Sequence, residues 1–191
     1  MAAVVGAVVG VVSLSAMTTP LSAQELVTNG GFETGDFSGW QRGGCDSYTS
    51  VNSGGAYSGV YAGRFGAVNC YASITQELAT VAGQQYSVSF FGTKLTPATG
   101  NDNAIRIIFD GTTIFDQELT NGSFQQFTAT GTALSNHAVF TLEGYNNPDW
   151  DVIDDISVKS LDVVTTPEPS SMALLGTGLV GLVPMIRRRK R

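Results

Sequence analysis

The feature that most restricts the fold of this chain is a series of short runs in which apolar and polar residues alternate. Residues 74–78 and 86–90 place apolar side chains on one face and polar side chains on the other, as half-buried β-strands do. Gly, Asn and Pro separate such runs at intervals of about ten residues, a spacing typical of a β-sandwich. The other strand candidates are 26–27, 57–65, 104–109, 112–115, 124–130, 138–142 and 152–158.

An Asp-Gly pair, Asp110 and Gly111, separates two of these candidates. Both central positions of a type I′ turn need positive φ angles, which this pair accepts, so the sequence predicts a hairpin over 104–115. The 23 glycines and the charged fraction of only 14% exclude a helical bundle or coiled coil. We therefore predict an all-β sandwich of about eight or nine strands, with regular helix confined to the chain termini.

The charge of the central region argues against binding to nucleic acid. Residues 24–164 contain five basic and fifteen acidic side chains. A surface this acidic repels phosphate backbones.

Both ends of the chain have the composition of targeting segments. Residues 1–17 are apolar and carry no charged side chain, and the small residues Ser22 and Ala23 precede Gln24. This pattern predicts a secretory signal peptide over 1–23, although its usual basic start is missing. At the other end, an apolar run over 172–186 is followed by five basic residues. A helix from 170 to 186 spans about 25 Å, just enough to cross a bilayer, and the basic tail places its end in the cytoplasm.

The order of features at the C-terminal end resembles the PEP-CTERM sorting signal of exported Gram-negative bacterial proteins. Pro167, Glu168 and Pro169 precede the apolar run and the Arg-rich tail in one contiguous stretch, 167–191. The resemblance implies anchoring in the inner membrane, recognition of Pro-Glu-Pro by an exosortase, and transfer to the cell surface or extracellular matrix. It also implies a role beside exopolysaccharide in biofilm. A plain anchor that is never cleaved remains the alternative.

A second resemblance covers about residues 26–160. The opening 26–40, with Gly31-Phe32-Glu33 and Trp40, and the closing 150–158 resemble jelly rolls of carbohydrate-binding modules with a galactose-binding-type topology. The expected domains are thus a signal peptide at 1–23, a jelly-roll sandwich at 24–163 and a sorting signal at 164–191.

Asp154 has the same strand parity as Ile156 and Val158, so it is expected to face the core with them. A buried carboxylate needs a partner or a metal. In the jelly rolls that the chain resembles, the Glu of the opening and an Asp of the closing strand hold a structural calcium ion. This implies Ca²⁺ at Glu33 and Asp154, with Asp155 as the alternate ligand. The alternative is that Asp154 caps backbone amides while Asp155 is solvated.

Cys45 and Cys70 are the only cysteines. An even number of cysteines in an exported chain predicts one disulfide.

Aromatic residues in loops are candidates for stacking on sugar rings. The segment 145–150 is the most loop-like aromatic and polar cluster, so Tyr145, Asn146, Asn147 and Trp150 are the predicted carbohydrate-binding residues. The alternative is that tryptophans beside strands, such as Trp150, form edges of the core. No nucleophile motif accompanies the single histidine, His137, so an enzyme is not expected.

These patterns predict an exported, non-catalytic protein that associates with extracellular polysaccharide through a lectin-like surface. The alternative is a structural matrix protein that engages other proteins and binds no defined sugar.

Overall fold

A computed structural model describes residues 23–95 and 102–161. Within them the chain forms ten β-strands and one short 3₁₀ helix at Asp46–Tyr48. The strands are β1 (Gln41–Gly44), β2 (Thr49–Ser53), β3 (Tyr61–Phe65), β4 (Ala72–Ala79), β5 (Gln85–Lys94), β6 (Asp102–Phe109), β7 (Thr112–Gln117), β8 (Gln125–Thr132), β9 (His137–Asn147) and β10 (Asp151–Ser160).

The strands form two five-stranded sheets, as the sandwich prediction requires. The first sheet has the order β1-β4-β9-β6-β7, and the second has the order β2-β3-β10-β5-β8. Every strand pair in both sheets is antiparallel. The all-β class is confirmed, with ten strands in place of eight or nine.

Two parts of the strand prediction were wrong. The short strands β1 and β2 were not predicted, and residues 26–27, predicted as a strand, lie outside the ten. The segment that contains residues 26–27 instead lies along the end of β10. The backbone N–H of Leu26 donates to the carbonyl of Val158 at 3.0 Å, and Oε1 of Glu25 accepts from the N–H of Val158 at 2.8 Å. Glu25 itself forms a single bridge with Lys159.

The predicted hairpin is present between β6 and β7. Asp110 and Gly111 have φ angles of +47° and +81°, as a type I′ turn requires. The carboxylate of Asp110 also accepts the N–H groups of Leu134 at 2.7 Å and of Ser135 at 3.0 Å. The turn is thereby tied to the segment that joins β8 to β9.

The alternating runs fill the space between the two sheets with large apolar side chains. Burying such side chains stabilises the fold by about 1.5–3 kcal/mol each. The largest of the fully buried ones are Phe32, Phe65, Phe90, Phe109, Phe140, Ile74, Leu78, Ile105, Ile107, Leu142, Ile153 and Val88.

The direction predicted for Asp154 was wrong, because a β-bulge interrupts β10. The pairing of β10 with β5 shifts between Asp154 and Ser157, and Asp155 has a φ of +49°. Ile153 and Ile156 therefore both face the core. Asp154 points to the outer face of the second sheet, opposite Phe91 of β5.

The targeting segments fall almost entirely outside the described residues. Of the predicted signal peptide, 1–23, only Ala23 is described, and Pro167, Glu168, Pro169 and the predicted membrane helix all lie beyond residue 161. Among residues 23–95 and 102–161 there is no helix long and apolar enough to cross a bilayer.

Candidate functional site

The predicted disulfide is present between Cys45 and Cys70, whose Cα atoms are 6.1 Å apart. It joins the segment after β1 to the segment before β4. The backbone N–H of Cys45 also donates to the carbonyl of Tyr71 at 2.9 Å. The position of Tyr71 is thus fixed by a covalent link on one side and by β4 on the other.

Tyr71 and Tyr145 lie side by side at one end of the first sheet. Tyr145 belongs to β9, where alternate residues such as Leu142 and Asn146 are buried, so its ring lies on the outer face. The two rings meet edge to face, with centroids 4.9 Å apart and planes at 85°. Together with Asn69 and Cys70 they line an open cleft of about 290 Å³, which we call the tyrosine cleft.

A charged network supports the tyrosine cleft from the neighbouring strand. The guanidinium carbon of Arg106 lies 4.4 Å from the ring centroid of Tyr71, and Nη2 of Arg106 donates to the Tyr71 hydroxyl at 3.1 Å. Arg106 also pairs with Asp116 at 3.0 Å and with Glu143 at 3.4 Å. One positive charge is thus shared between two carboxylates, and this network contacts the cleft through Tyr71.

Only part of the predicted segment 145–150 reaches this surface. Residues 145–147 are not a loop but the end of β9. Tyr145 lines the cleft, whereas Asn146 is completely buried. Asn147, the last residue of the strand, is half-buried. The ring of Trp150 packs against Gly66, where an added Cβ would lie only 2.7 Å from it. Trp150 is half-buried at this position and is not one of the residues that line the cleft.

Asn146 instead pairs with Asp151 beneath the turn between β9 and β10. Its Nδ2 donates to Oδ1 of Asp151 at 2.9 Å, while Oδ1 of Asn146 and Oδ2 of Asp151 are buried with no partner. Burial raises the pKa of Asp151 to about 8, although Lys94 and the Asn146 hydrogen bond oppose the rise. The protonated form of the carboxyl group is therefore favoured at neutral pH. Its proton adds a hydrogen-bond donor to a pair in which two buried oxygens otherwise have none.

The three predicted metal ligands are grouped around the loop that precedes β3. Oδ2 of Asp154 accepts the backbone N–H groups of Tyr57 at 2.8 Å and of Ser58 at 3.1 Å. Oδ1 of Asp154 accepts the N–H of Asp155 at 2.7 Å. Desolvation raises the pKa of Asp154, and these three amides oppose that rise. Asp154 thus has the amide-capping contacts that were the alternative to a metal.

Glu33 and Asp155 contact the same loop. Oε1 of Glu33 accepts the N–H groups of Val60 and Tyr61, both at 2.9 Å. Oδ1 of Asp155 accepts from the hydroxyl of Ser58 at 3.1 Å. All three carboxylates therefore border one loop, which we call the 57–61 loop.

The fit of this site to Ca²⁺ can be judged at Gly31. A Cβ atom added to Gly31 would lie 3.0 Å from Oδ1 of Asp155, 3.7 Å from Oδ1 of Asp154 and 3.8 Å from Cγ of Glu33. Carboxylate oxygens suit Ca²⁺, which takes about six to eight ligands. No group of three or more His, Cys, Asp and Glu side chains arranged to hold a metal ion occurs in the described part of the chain. The site thus fits calcium only if main-chain oxygens supply most of the ligands.

The C-terminal resemblance is confirmed by comparison with known protein families. Residues 165–191 match the family described as the PEP-CTERM protein-sorting motif. This motif indicates an exported protein that an exosortase sorts. A search of the curated proteins gave no relative of this chain.

Solved structures confirm the jelly-roll fold of a carbohydrate-binding module. TmCBM61 in complex with β-1,4-galactotriose is 22% identical, with a TM-score of 0.55, and the match covers 73% of this chain and 100% of that one. The CBM22-1 xylan-binding domain of Xyn10C from Paenibacillus barcinonensis is 13% identical, with a TM-score of 0.57 and coverage of 76% and 100%. The K3 cleaved adhesin domain of Lys-gingipain from Porphyromonas gingivalis w83 is 12% identical, with a TM-score of 0.55 and coverage of 72% and 99%.

Proposed function

We propose that this chain is a non-catalytic polysaccharide-binding protein of the cell surface or extracellular matrix, and that it binds sugar at the tyrosine cleft. The observation that carries the proposal is the pair of tyrosine rings, Tyr71 and Tyr145, in an open cleft on the outer face of the sheet. Pyranose rings present apolar C–H faces that pack on aromatic rings, while their hydroxyl groups need hydrogen-bonding partners.

The surroundings of the cleft supply those partners. Arg106 and Glu143 on the adjoining strands and Asn69 at the rim provide donors and acceptors for sugar hydroxyls. Arg106 is held by two carboxylates and by the hydroxyl of Tyr71, so these groups are ordered before a ligand arrives. Preorganised groups lose less entropy on binding.

Binding to polysaccharide tests this proposal directly. The full chain, purified in detergent, would be run through gels containing β-1,4-galactan, xylan or the exopolysaccharide of the producing bacterium. We expect saturable retardation by at least one of them, and a loss of affinity of about tenfold, equivalent to about 1.4 kcal/mol, for Tyr145→Ala. Tyr48→Ala is the matched control, because Tyr48 is 53% exposed and lies outside the cleft.

Two results would contradict the proposal. If none of the three polysaccharides retards the protein, the alternative of a structural matrix protein that engages other proteins takes its place. If Tyr145→Ala binds as tightly as Tyr48→Ala, the cleft is not the binding site.

The sorting motif gives the proposed path to the surface. Export through the signal peptide, anchoring by the apolar run at 172–186 and exosortase processing at Pro167, Glu168 and Pro169 would release the sandwich to the matrix. Mass spectrometry of the mature protein should find a C-terminus between 167 and 171. A mature protein that keeps residues 187–191 would instead be a simple membrane-anchored protein.

A structural Ca²⁺ ion at Asp154 and Asp155, with Glu33 beside them, is proposed as part of the same domain. The grouping of the three carboxylate side chains around Gly31 and the burial of Asp154 support it. Saturating calcium should raise the melting temperature relative to chelated protein, since an ion at about 100 times its Kd adds about 2.7 kcal/mol. Equal melting temperatures with calcium and with chelator would leave backbone amides as the only partners of Asp154.

A further inference from the structure

A second aromatic surface lies on the other side of the sandwich. Phe91 of β5 is on the outer face of the second sheet, because its neighbour Phe90 is buried in the core. The ring of Tyr57 lies flat on Phe91, with centroids 3.6 Å apart and planes 9° apart. Phe124 meets Tyr57 at 5.7 Å and 62°. These three residues are named the Tyr57 platform.

The side chain of Tyr57 is accessible to solvent. Tyr57 is 47% exposed, although one face of its ring covers Phe91 and Phe124 also contacts the ring. An exposed aromatic ring held flat on a sheet can stack on a planar apolar ligand surface. The tyrosine cleft lies on the outer face of the first sheet, so the two surfaces point in opposite directions.

The backbone of the 57–61 loop is held by carboxylates as well as by the packing of its aromatic side chains. Asp154 binds the N–H groups of Tyr57 and Ser58, and Glu33 binds those of Val60 and Tyr61. Between them Gly59 has a φ of +62°, and an added Cβ would collide with the Glu33 carboxylate. These contacts order the loop, so that Tyr57 is held on Phe91 before any ligand binds.

The rim of the Tyr57 platform is polar and carries no positive charge from the loop itself. Gln126 of β8 lies directly opposite Phe91 and is exposed. Ser58 and Asp155, joined by a hydrogen bond, lie at the end next to Tyr57. Amide, hydroxyl and carboxylate groups hydrogen-bond to sugar hydroxyls, whereas the carboxylates disfavour uronate or sulfated sugars.

We infer that the Tyr57 platform is a second binding surface for the C–H face of a neutral pyranose, and that one domain thereby cross-links two polysaccharide chains. The inference rests on the proposed polysaccharide-binding function. Two weak sites on opposite faces of one rigid body raise avidity for a polymer and join separate chains. A matrix protein with this property needs no second domain and no dimer to form a network.

Light scattering of protein and polysaccharide mixtures tests the inference. The full chain in detergent would be titrated into whichever of β-1,4-galactan, xylan and the producer's exopolysaccharide retards it in gels. We expect wild type to produce turbidity that rises and then falls with increasing protein, as bivalent cross-linking requires. Tyr57→Ala should still bind the polymer, with affinity reduced about threefold to tenfold, but should give no turbidity.

Two variants separate a loss of the platform from a loss of folding. Tyr57→Phe keeps the ring and should keep the turbidity, while Tyr48→Ala, also an exposed tyrosine, should behave as wild type. Melting temperatures of all variants would show whether Tyr57→Ala is folded at the assay temperature; if it is not, Gln126→Ala provides the same test from the rim.

The outcomes distinguish the two proposals. Turbidity unchanged in folded Tyr57→Ala overturns the second surface while leaving the tyrosine cleft intact. Binding lost with Tyr57→Ala but kept with Tyr145→Ala overturns the tyrosine cleft and supports the Tyr57 platform as a single site. No binding to any of the three polymers overturns both.

Discussion

Two buried carboxyl groups on the same strand differ in the number of hydrogen-bond donors around them. Asp151 and Asp154 of β10 are both fully removed from solvent. Asp154 accepts three backbone N–H groups, from Tyr57, Ser58 and Asp155, whereas Asp151 has one amide donor and one oxygen without a partner. Desolvation raises the pKa of both groups, but at Asp154 three amides oppose the rise, whereas at Asp151 the rise favours the protonated form.

The comparison shows that the function of a buried carboxylate depends on the number of donors around it. Donors favour the charged form, and desolvation favours the neutral form. With three donors, Asp154 organises a surface loop and its platform. With one donor, Asp151 forms a neutral pair with Asn146, the residue next to Tyr145 in β9. We expect the two to respond very differently to mutation and to pH.

The largest expected effect is that of Asp154→Ala. Three N–H groups lose their acceptor, and leaving buried donors unpaired costs about 1–3 kcal/mol each, so we expect a loss of about 3 kcal/mol or more in the free energy of unfolding. Urea denaturation in the presence of chelator measures it without a contribution from calcium. A loss below about 1 kcal/mol would mean that water replaces the carboxylate at these amides.

A pH dependence of stability should come from Asp151. Its pKa rises from 3.8 in the unfolded chain to about 8 in the fold, so between these values the folded state holds a proton that the unfolded state has released. Raising the pH through this window therefore favours unfolding, and the loss levels off above the higher value. The groups facing Asp151 are Asn146, Lys94 from β5 and Asp149 from the turn.

Denaturation of wild type and Asp151→Asn at several pH values isolates this contribution. The variant has no proton to release at position 151, so the difference between the two curves should grow in favour of the variant as the pH rises. Parallel curves would show that Asp151 is charged in the fold.

A smaller effect is expected for Asp151→Asn at pH 5. The new amide keeps an oxygen that accepts from Nδ2 of Asn146 and, like the protonated acid, has a donor at its other polar atom, so the free energy of unfolding should change by less than about 1 kcal/mol. Asp151→Ala, the control, leaves the Asn146 amide buried without a partner and should cost about 1–3 kcal/mol. Equal losses for the two variants would contradict the neutral pair.

The smallest effect is expected for Ser58→Ala. It removes the exposed hydrogen bond from the Ser58 hydroxyl to Asp155 but leaves the Ser58 N–H on Asp154, so stability should change by about 0.5 kcal/mol or less. A loss comparable to that of Asp154→Ala would mean that the side chain of Asp155, and not Asp154, holds the loop.

Sequence patterns predicted the strands whose residues alternate and missed those whose residues do not. β4, β5, β9 and the hairpin of β6 and β7 have clear periodicity and a turn signal. β1 contains two glycines, Gly43 and Gly44, and β2 is mostly polar, so neither has an apolar face to reveal it. Both are edge strands, which pair with a neighbour on one side only.

The candidate site could be predicted only in part. Extending the alternation of β9 from Leu142 through Gly144 would have placed Asn146 inside and Tyr145 outside. The inward direction assigned to Asp154 failed because a single residue with positive φ, Asp155, reverses the parity. No local signal joins Tyr71, Arg106 and Tyr145, since their contact depends on the order of β4, β9 and β6 in the first sheet.

The segment around Glu25 has a mechanical consequence. Glu25 bridges Lys159 at the end of β10, so the chain enters and leaves the sandwich at neighbouring points. Tension transmitted from the sorting motif would reach the domain along β10, an interior strand with hydrogen-bonded neighbours on both sides. Pulling that strand out requires many hydrogen bonds to break at once, whereas residues 25 and 26 bond to β10 only at 157–159 and would separate from it first.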